Sequence, residues 1–119
     1  VGITNYAKGK MLDTIRGVSF SVTSAWAQLH IGDPGEGGTA NIATESSRQS
    51  LTFDPASGGT MDIGLRPWLF VEATEDYTHW SIWDSMFDGN CLWTGAFSET
   101  ASVIVGDTFL ISGASISLN

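Results

Sequence analysis

The closing third of the chain, Tyr77 to Asn119, reads YTHWSIWDSMFDGNCLWTGAFSETASVIVGDTFLISGASISLN. Within each short run, aromatic and β-branched residues recur at every second position, and Asp-Gly-Asn, Gly-Asp and Ser-Gly stand at the joins. Side chains alternate across a strand, and glycine and asparagine supply the backbone conformations that turns require. The pattern therefore predicts an antiparallel meander of four or five runs, and it leaves no room in this region for a nucleotide loop or a catalytic helix.

Upstream segments add strands of the same kind. AWAQLHI, from Ala25 to Ile31, alternates, and its aliphatic side of Ala25, Ala27, Leu29 and Ile31 is expected in the core, with Trp26, Gln28 and His30 opposite. Gln49, Leu51 and Phe53 share one face of a further strand. After a turn at 55–59, Met61, Ile63 and Leu65 continue in phase. Pro67 has no N–H for a ladder, so the strand must end, bulge or lie at an edge there. Trp68 and Phe70 are expected on one face of the strand after it. The total of about seven to nine short strands predicts an all-β fold, an antiparallel β-sandwich or jelly-roll-like barrel. With 119 residues and no internal repeat or linker, residues 1–119 form a single domain.

The first segment has a different period. Ile3, Tyr6, Ala7, Met11, Leu12 and Ile15 fall along one face of a helix over about residues 4–16, with Asn5 as N-cap and Gly17 as stop. The sandwich then occupies about 18–119. Gly9 costs this helix about 1 kcal/mol relative to alanine, so it needs a contact with the β body or with a partner. Docking its apolar face leaves Lys8, Lys10 and Arg16 outward. The loop GDPGEGGTANIATESS, from Gly32 to Ser47, is long for a compact domain, and loops of that length are usually disordered or engaged with something.

Charge removes several function classes. Thirteen acids face five bases, net −8, and the bases are concentrated early: Lys8, Lys10 and Arg16 accompany only Asp13, whereas the rest of the chain carries twelve acids against Arg48 and Arg66. Without a basic patch there is no counterion-release drive toward nucleic acid. No apolar run nears the roughly 20 residues of a membrane span, and nothing at the start reads as a secretory signal. Cys91 has no disulfide partner and reads as a small buried residue. His30 and His79 lack zinc-ligand spacing and read as satisfied strand residues. GDPGEGG lacks the Lys-Ser/Thr ending of a phosphate loop, and Asp33 and Glu36 repel phosphate. Calcium at Asp33 and Glu36, or at Glu72, Glu75 and Asp76, is the weaker reading of acid-rich turns. No serine sits in a GxSxG elbow. No catalytic residue, metal or cofactor is expected, and the chain does not read as an enzyme.

Five tryptophans are many for this length. Trp80 and Trp83 lie on opposite faces of one strand, so one of them is left outside the core unless a second layer covers it. An aromatic so placed suits a subunit contact or a stacked sugar.

LHIGDPGEGGTANIATESSRQSLTFDPASGG, Leu29 to Gly59, resembles small virion proteins of tailed bacteriophages, in which a strand ending in Leu-His and an Asp-Pro-Gly loop lead to Arg-Gln and a second strand. HWSIWDSMFDGNCLWTGAF and VIVGDTFLISGASISL are similar to the later hairpins of those proteins, and AKGKMLDTIRG to their opening helix. The resemblance covers nearly the whole chain and implies a structural virion protein, either head decoration or tail fibre. A chain without heptads or repeats supplies no shaft, which favours a decoration (cement) protein on the phage head surface, made in the host cytoplasm. The partners then expected are the major capsid protein and neighbouring copies in a homo-trimer. The contact residues expected are Tyr6, Lys8, Lys10 and Arg16 on the helix, Asp33 and Glu36 in the loop, and Trp83. The alternatives are a tail component that binds the host surface and a carbohydrate-binding module that takes a host glycan through Trp83 or Trp93.

Overall fold

The computed structural model of the protein describes residues 2–111 and 114–117. Seven strands and one helix follow in the order β1 (Gly2–Ile3), α1 (Asn5–Ile15), β2 (Ala25–His30), β3 (Gln49–Phe53), β4 (Thr60–Leu65), β5 (Glu75–Trp83), β6 (Cys91–Val103) and β7 (Ala114–Ser117). The fold is all-β with one N-terminal helix, as the patterning predicts, and the strand count falls at the low end of the expectation. All seven strands belong to one antiparallel sheet in the order β1-β6-β5-β2-β3-β4-β7. The sheet curls: Trp93 of β6 and Ile116 of β7, far apart in strand order, line the same groove. A half-open barrel therefore takes the place of two separately hydrogen-bonded layers.

The core lies on the concave face. Ala25, Ala27 and Leu29 of β2, Leu51 of β3, Ile82 of β5 and Trp93 of β6 are buried there. They are brought level by the pairings Ala25↔Leu51, Ala27↔Ile82 and Ile82↔Trp93. Tyr77, Trp68 and Val71 extend the core, with Tyr77 and Phe109 in edge contact at 5.1 Å between ring centroids. The Trp80 ring lies over Gly95 across the β5–β6 ladder, where a Cβ would stand 2.1 Å from the indole.

Several expectations require correction. β2 is buried on both faces: Gln28 and His30 are as enclosed as Ala27 and Leu29, whereas Ile31 is 46% exposed. The cause is the Gly32–Ser47 loop, which folds back over the convex face. The loop is anchored edgewise to β2 by Ala43 N–H on the Leu29 carbonyl (3.1 Å) and Ile31 N–H on the Asn41 carbonyl (2.9 Å), and the buried Gln28 and His30 side chains reach its Ser46 (3.2 Å) and Ala40 (2.9 Å) carbonyls. Trp68 and Phe70 part company. Trp68 is fully buried, with its Nε1–H on the Ser47 carbonyl at 2.9 Å, whereas Phe70 has φ +52° and is 76% exposed. β4 ends at Leu65, before Pro67. From Glu75 onward there are three strands in place of four or five runs, because β6 runs for 13 residues. It bulges strongly: Tyr77 pairs with Ala101 but His79 with Ala96.

The helix cap lies one residue earlier than expected, and Asn5 is the first residue of α1. Thr4, not Asn5, is the N-cap, because its Oγ1 serves two elements: it accepts from Ala7 N–H (3.3 Å) and donates to the Cys91 carbonyl (2.7 Å). Gly17, at φ +89°, stops it as expected. Its N–H reaches the Thr14 carbonyl (3.1 Å) while Val18 N–H reaches that of Asp13 (3.0 Å), the paired bonds of a Schellman ending. The expected docking of the apolar face holds only for its first turn, where Ala7 is buried.

Candidate functional site

Around the start of α1, three segments distant in sequence meet. Thr4 N–H donates to the Leu92 carbonyl (3.1 Å), which fixes the helix start beside β6. The N–H of Asn5, in the first turn of α1, donates to the Glu36 carboxylate. The first N–H groups of a helix lack partners within it and carry positive partial charge, so a carboxylate is well placed there. Glu36 thus turns the acidic Gly-rich loop into a clasp on the helix.

Gly38 lets the loop come this close. It is buried at φ +72°, and a Cβ would stand 2.5 Å from Cys91 Sγ and 3.0 Å from the Trp83 ring. Deeper in, a chain of hydrogen bonds joins loop and sheet. His30 Nδ1 is 2.9 Å from the Ala40 carbonyl, which only accepts, so that nitrogen carries the proton. Nε2 is then the acceptor for the Ser81 hydroxyl at 2.7 Å, and Ser81 Oγ in turn accepts from Trp83 Nε1–H at 2.7 Å. Burial holds the His30 pKa below its ordinary value, partly offset by the Ala40 and Asn41 backbone bonds, so the ring is neutral at pH 7. Burial likewise pushes the Cys91 thiol up to about 11.

Above this base lies a cleft of about 350 Å³, lined by Tyr6, Glu36, Thr39 and Asn90 together with Trp83 and Cys91. Three of the expected contact residues, Tyr6, Glu36 and Trp83, therefore come together. Trp83 is only 5% exposed, covered by Gly38 and by the Arg48 guanidinium, so it is enclosed while Trp80 is the half-buried neighbour. Trp93 is also buried, so neither tryptophan named for sugar stacking presents a free face. Lys8, Lys10 and Arg16 lie along exposed α1, with Lys10 near the Tyr6 ring (5.7 Å) and Arg16 paired to Asp13 (2.9 Å). Asp33 stands apart from the cleft, its carboxylate taken by Gly35 N–H at 2.9 Å.

The second acidic cluster is also used internally. The Glu75 carboxylate accepts the Thr44 and Glu45 N–H groups, both at 3.1 Å. Burial and neighbouring Glu72 raise the pKa of Glu45. Among the described residues, no group of three His, Cys, Asp or Glu side chains is placed to hold a metal ion, and no helix is long and apolar enough to cross a membrane.

Two features were not anticipated. Leu69 and Phe70 in one loop and Met86 and Phe87 in another are exposed, Phe70 and Phe87 by 76% and 74%. The turn residues beside Phe87, Ser85 and Asp88-Gly89, carried the signal for that loop tip. No alternation argument marks Phe70 as outward. The other feature is the apolar end of α1, where Leu12 and Ile15 are 66% and 84% exposed.

None of the curated proteins matches the chain. The family described as Gp80, Podophage GP4 fiber I protein gp80, matches residues 2–119. The match spans the helix, the clasp, the cleft and all seven strands, and the chain belongs to this family of bacteriophage structural proteins.

Proposed function

We propose that the protein is a small building unit of a phage tail fibre, attached through its N-terminal arm and Gly-rich loop, with the rest of the acidic curled sheet facing outward. The observation that carries this reading is the match of residues 2–119 to a family described as a fibre protein. It favours the tail over the head surface. The lack of a shaft-forming repeat, which pointed to a decoration protein, is compatible with a compact unit of a fibre whose other parts supply the length. The cleft fits the reading, because Glu36 and Thr4 hold the arm at a fixed angle to the sheet and Tyr6, Thr39 and Asn90 offer polar groups at its mouth. The unit is proposed to act by repetition, with many modest contacts adding to a stable assembly.

Copy number and position test it. Quantitative mass spectrometry of purified virions, combined with antibody labelling of the particles, is expected to find a small fixed number of copies on the tail appendages. Hundreds of copies spread over the head would return the protein to the decoration reading.

A further inference from the structure

Two loops run side by side at the start of β5. Trp68 and Phe109 exchange both main-chain bonds at 2.8 Å, Val71 N–H donates to the Asp107 carbonyl (2.9 Å), and Gly106 N–H to that of Val71 (2.8 Å). The second loop is tightened further. Asp107 Oδ2 accepts from Ile104 N–H (2.9 Å) and Thr74 Oγ1 from Val105 N–H (3.0 Å). The backbones are thus held, yet the side chains at the tips are apolar and turned outward: Leu69 is 59% exposed, Ile104 64% and Val105 59%, in company with Phe70. Exposed apolar residues gathered in this way mark an interaction site.

Phe70 is the sharper sign. At φ +52° a bulky side chain stands in the left-handed region, where its Cβ crowds the following carbonyl and glycine is favoured. Strain of this kind persists only where the surroundings impose it, and it gathers at functional sites. Here buried Trp68 and Val71 flank it, and the outcome is a ring thrown into solvent. Core burial does not repay the strain.

Charge narrows the partner. From Pro67 to Asn119 the chain holds seven acids and no base, and Glu72 and Asp107, both exposed, lie two residues from Phe70 and Val105. A complementary surface is apolar at its centre and basic at its edge. Among the described residues, the groove inside the curl and the cleft at the start of α1 have no lysine or arginine in their walls, so neither suits the tips of a second copy. Anionic bilayers repel the acids.

We propose that Leu69, Phe70, Ile104 and Val105 form a preformed plug that seats in an apolar hollow of a different protein of the particle, whose lysine or arginine edge meets Glu72 and Asp107. The inference needs a place in the particle but not the tail, so it fails separately from the fibre reading: position tests that reading, and sensitivity to Phe70 tests this one.

The experiment places substituted genes in the phage, counts copies per particle by quantitative mass spectrometry and melts the purified proteins in parallel. Phe70→Gly relieves the backbone and is expected to melt at or above the wild-type temperature, while its copies per particle fall at least about fivefold. Ile104→Ser is expected to lower them likewise, and Glu72→Lys to lower them by setting a like charge against the basic edge. Wild-type copy number in Phe70→Gly overturns the inference. So does a Phe70→Gly protein that melts well below wild type, because the ring would then serve the fold. Undiminished copies in Glu72→Lys overturn the basic edge. Self-association of the purified chain that Phe70→Gly abolishes, or sedimentation with neutral phosphatidylcholine vesicles that it abolishes, hands the plug to a second copy or to lipid and overturns the foreign protein partner.

Discussion

The guanidinium carbon of Arg48 stands 4.1 Å from the centroid of the Trp83 ring, and Nη1 of the same group donates to the carbonyls of Ser85 (2.8 Å) and Asp88 (2.7 Å). One side chain thereby covers the tryptophan and pins the β5–β6 loop. Arg48→Ala is expected to cost about 2 kcal/mol in urea unfolding. Arg48→Lys should recover less than half, because an ammonium lacks the planar fork. Equal stability of wild type and Arg48→Ala would show that the contact contributes nothing.

Gly95 and Trp80 form a lock of the opposite kind, in which the absence of a side chain makes room. Gly95→Ala forces the indole away and is expected to destabilise by about 3 kcal/mol. Combining it with Trp80→Leu should cost clearly less than the two single changes summed. Strict additivity in that double-mutant cycle would mean that the two positions do not meet.

Buried neutral His30 gives stability a defined acid limb. Its folded pKa is depressed below the unfolded value near 6.5, so below that pH the unfolded chain takes up a proton that the folded chain resists. The contribution is fully present above pH 6.5 and is lost as pH falls from there through the depressed folded value. Glu45 acts in the opposite sense: its raised folded pKa means that protonation favours the fold as pH falls toward 4.5. Chemical unfolding of wild type at pH 5–8 should show the loss beginning near 6.5, and His30→Asn should flatten it. An unchanged slope in the variant would assign the limb to other groups.

The Cys91 thiol, held near 11 by burial, is neutral at every ordinary pH. Native protein at pH 8 is expected to resist Ellman's reagent, with one thiol reacting on unfolding in guanidinium. Gly38→Ala, which presses a methyl group toward the sulfur at a backbone φ of +72°, should open the site and speed the native reaction. Rapid labelling of the wild-type native protein would contradict the packing of loop on sheet.

The strands whose two faces differ were legible in the sequence. β5 and β6 alternate because one face meets the aliphatic core and the other a hydrogen-bonded layer, and α1 was readable from the spacing of Ala7, Met11 and Ile15 and the stop at Gly17. β2 misled, since a loop without strand character covers its second face and no pattern in Gly32–Ser47 announces where that loop lies. The contacts that seat it are two backbone bonds to β2, polar side chains from distant positions bonding to its main chain, and a missing Cβ at Gly38, none of which leaves a hydrophobic period. The site was half legible. Tyr6, Glu36 and Trp83 were named separately, but that they meet depends on a Glu36–Asn5 bond across 31 residues. The turn chemistry around Gly89 gave no sign that Trp83 is covered.

The pairing of β1 with β6 has a consequence in time. Thr4 is fastened to Cys91 and Leu92, 87 and 88 residues downstream, so the arm has nothing to hold until most of the chain exists and the β5–β6 hairpin has formed. Closing so large a loop is entropically slow, whereas the hairpin closes locally. Pulse-labelled hydrogen exchange during refolding is therefore expected to protect the Ile82 and Trp93 amides before those of Thr4 and Ala7, and the reverse order would refute this sequence of events. On that order the arm is the last element of the fold to be secured, long after the hairpin that receives it.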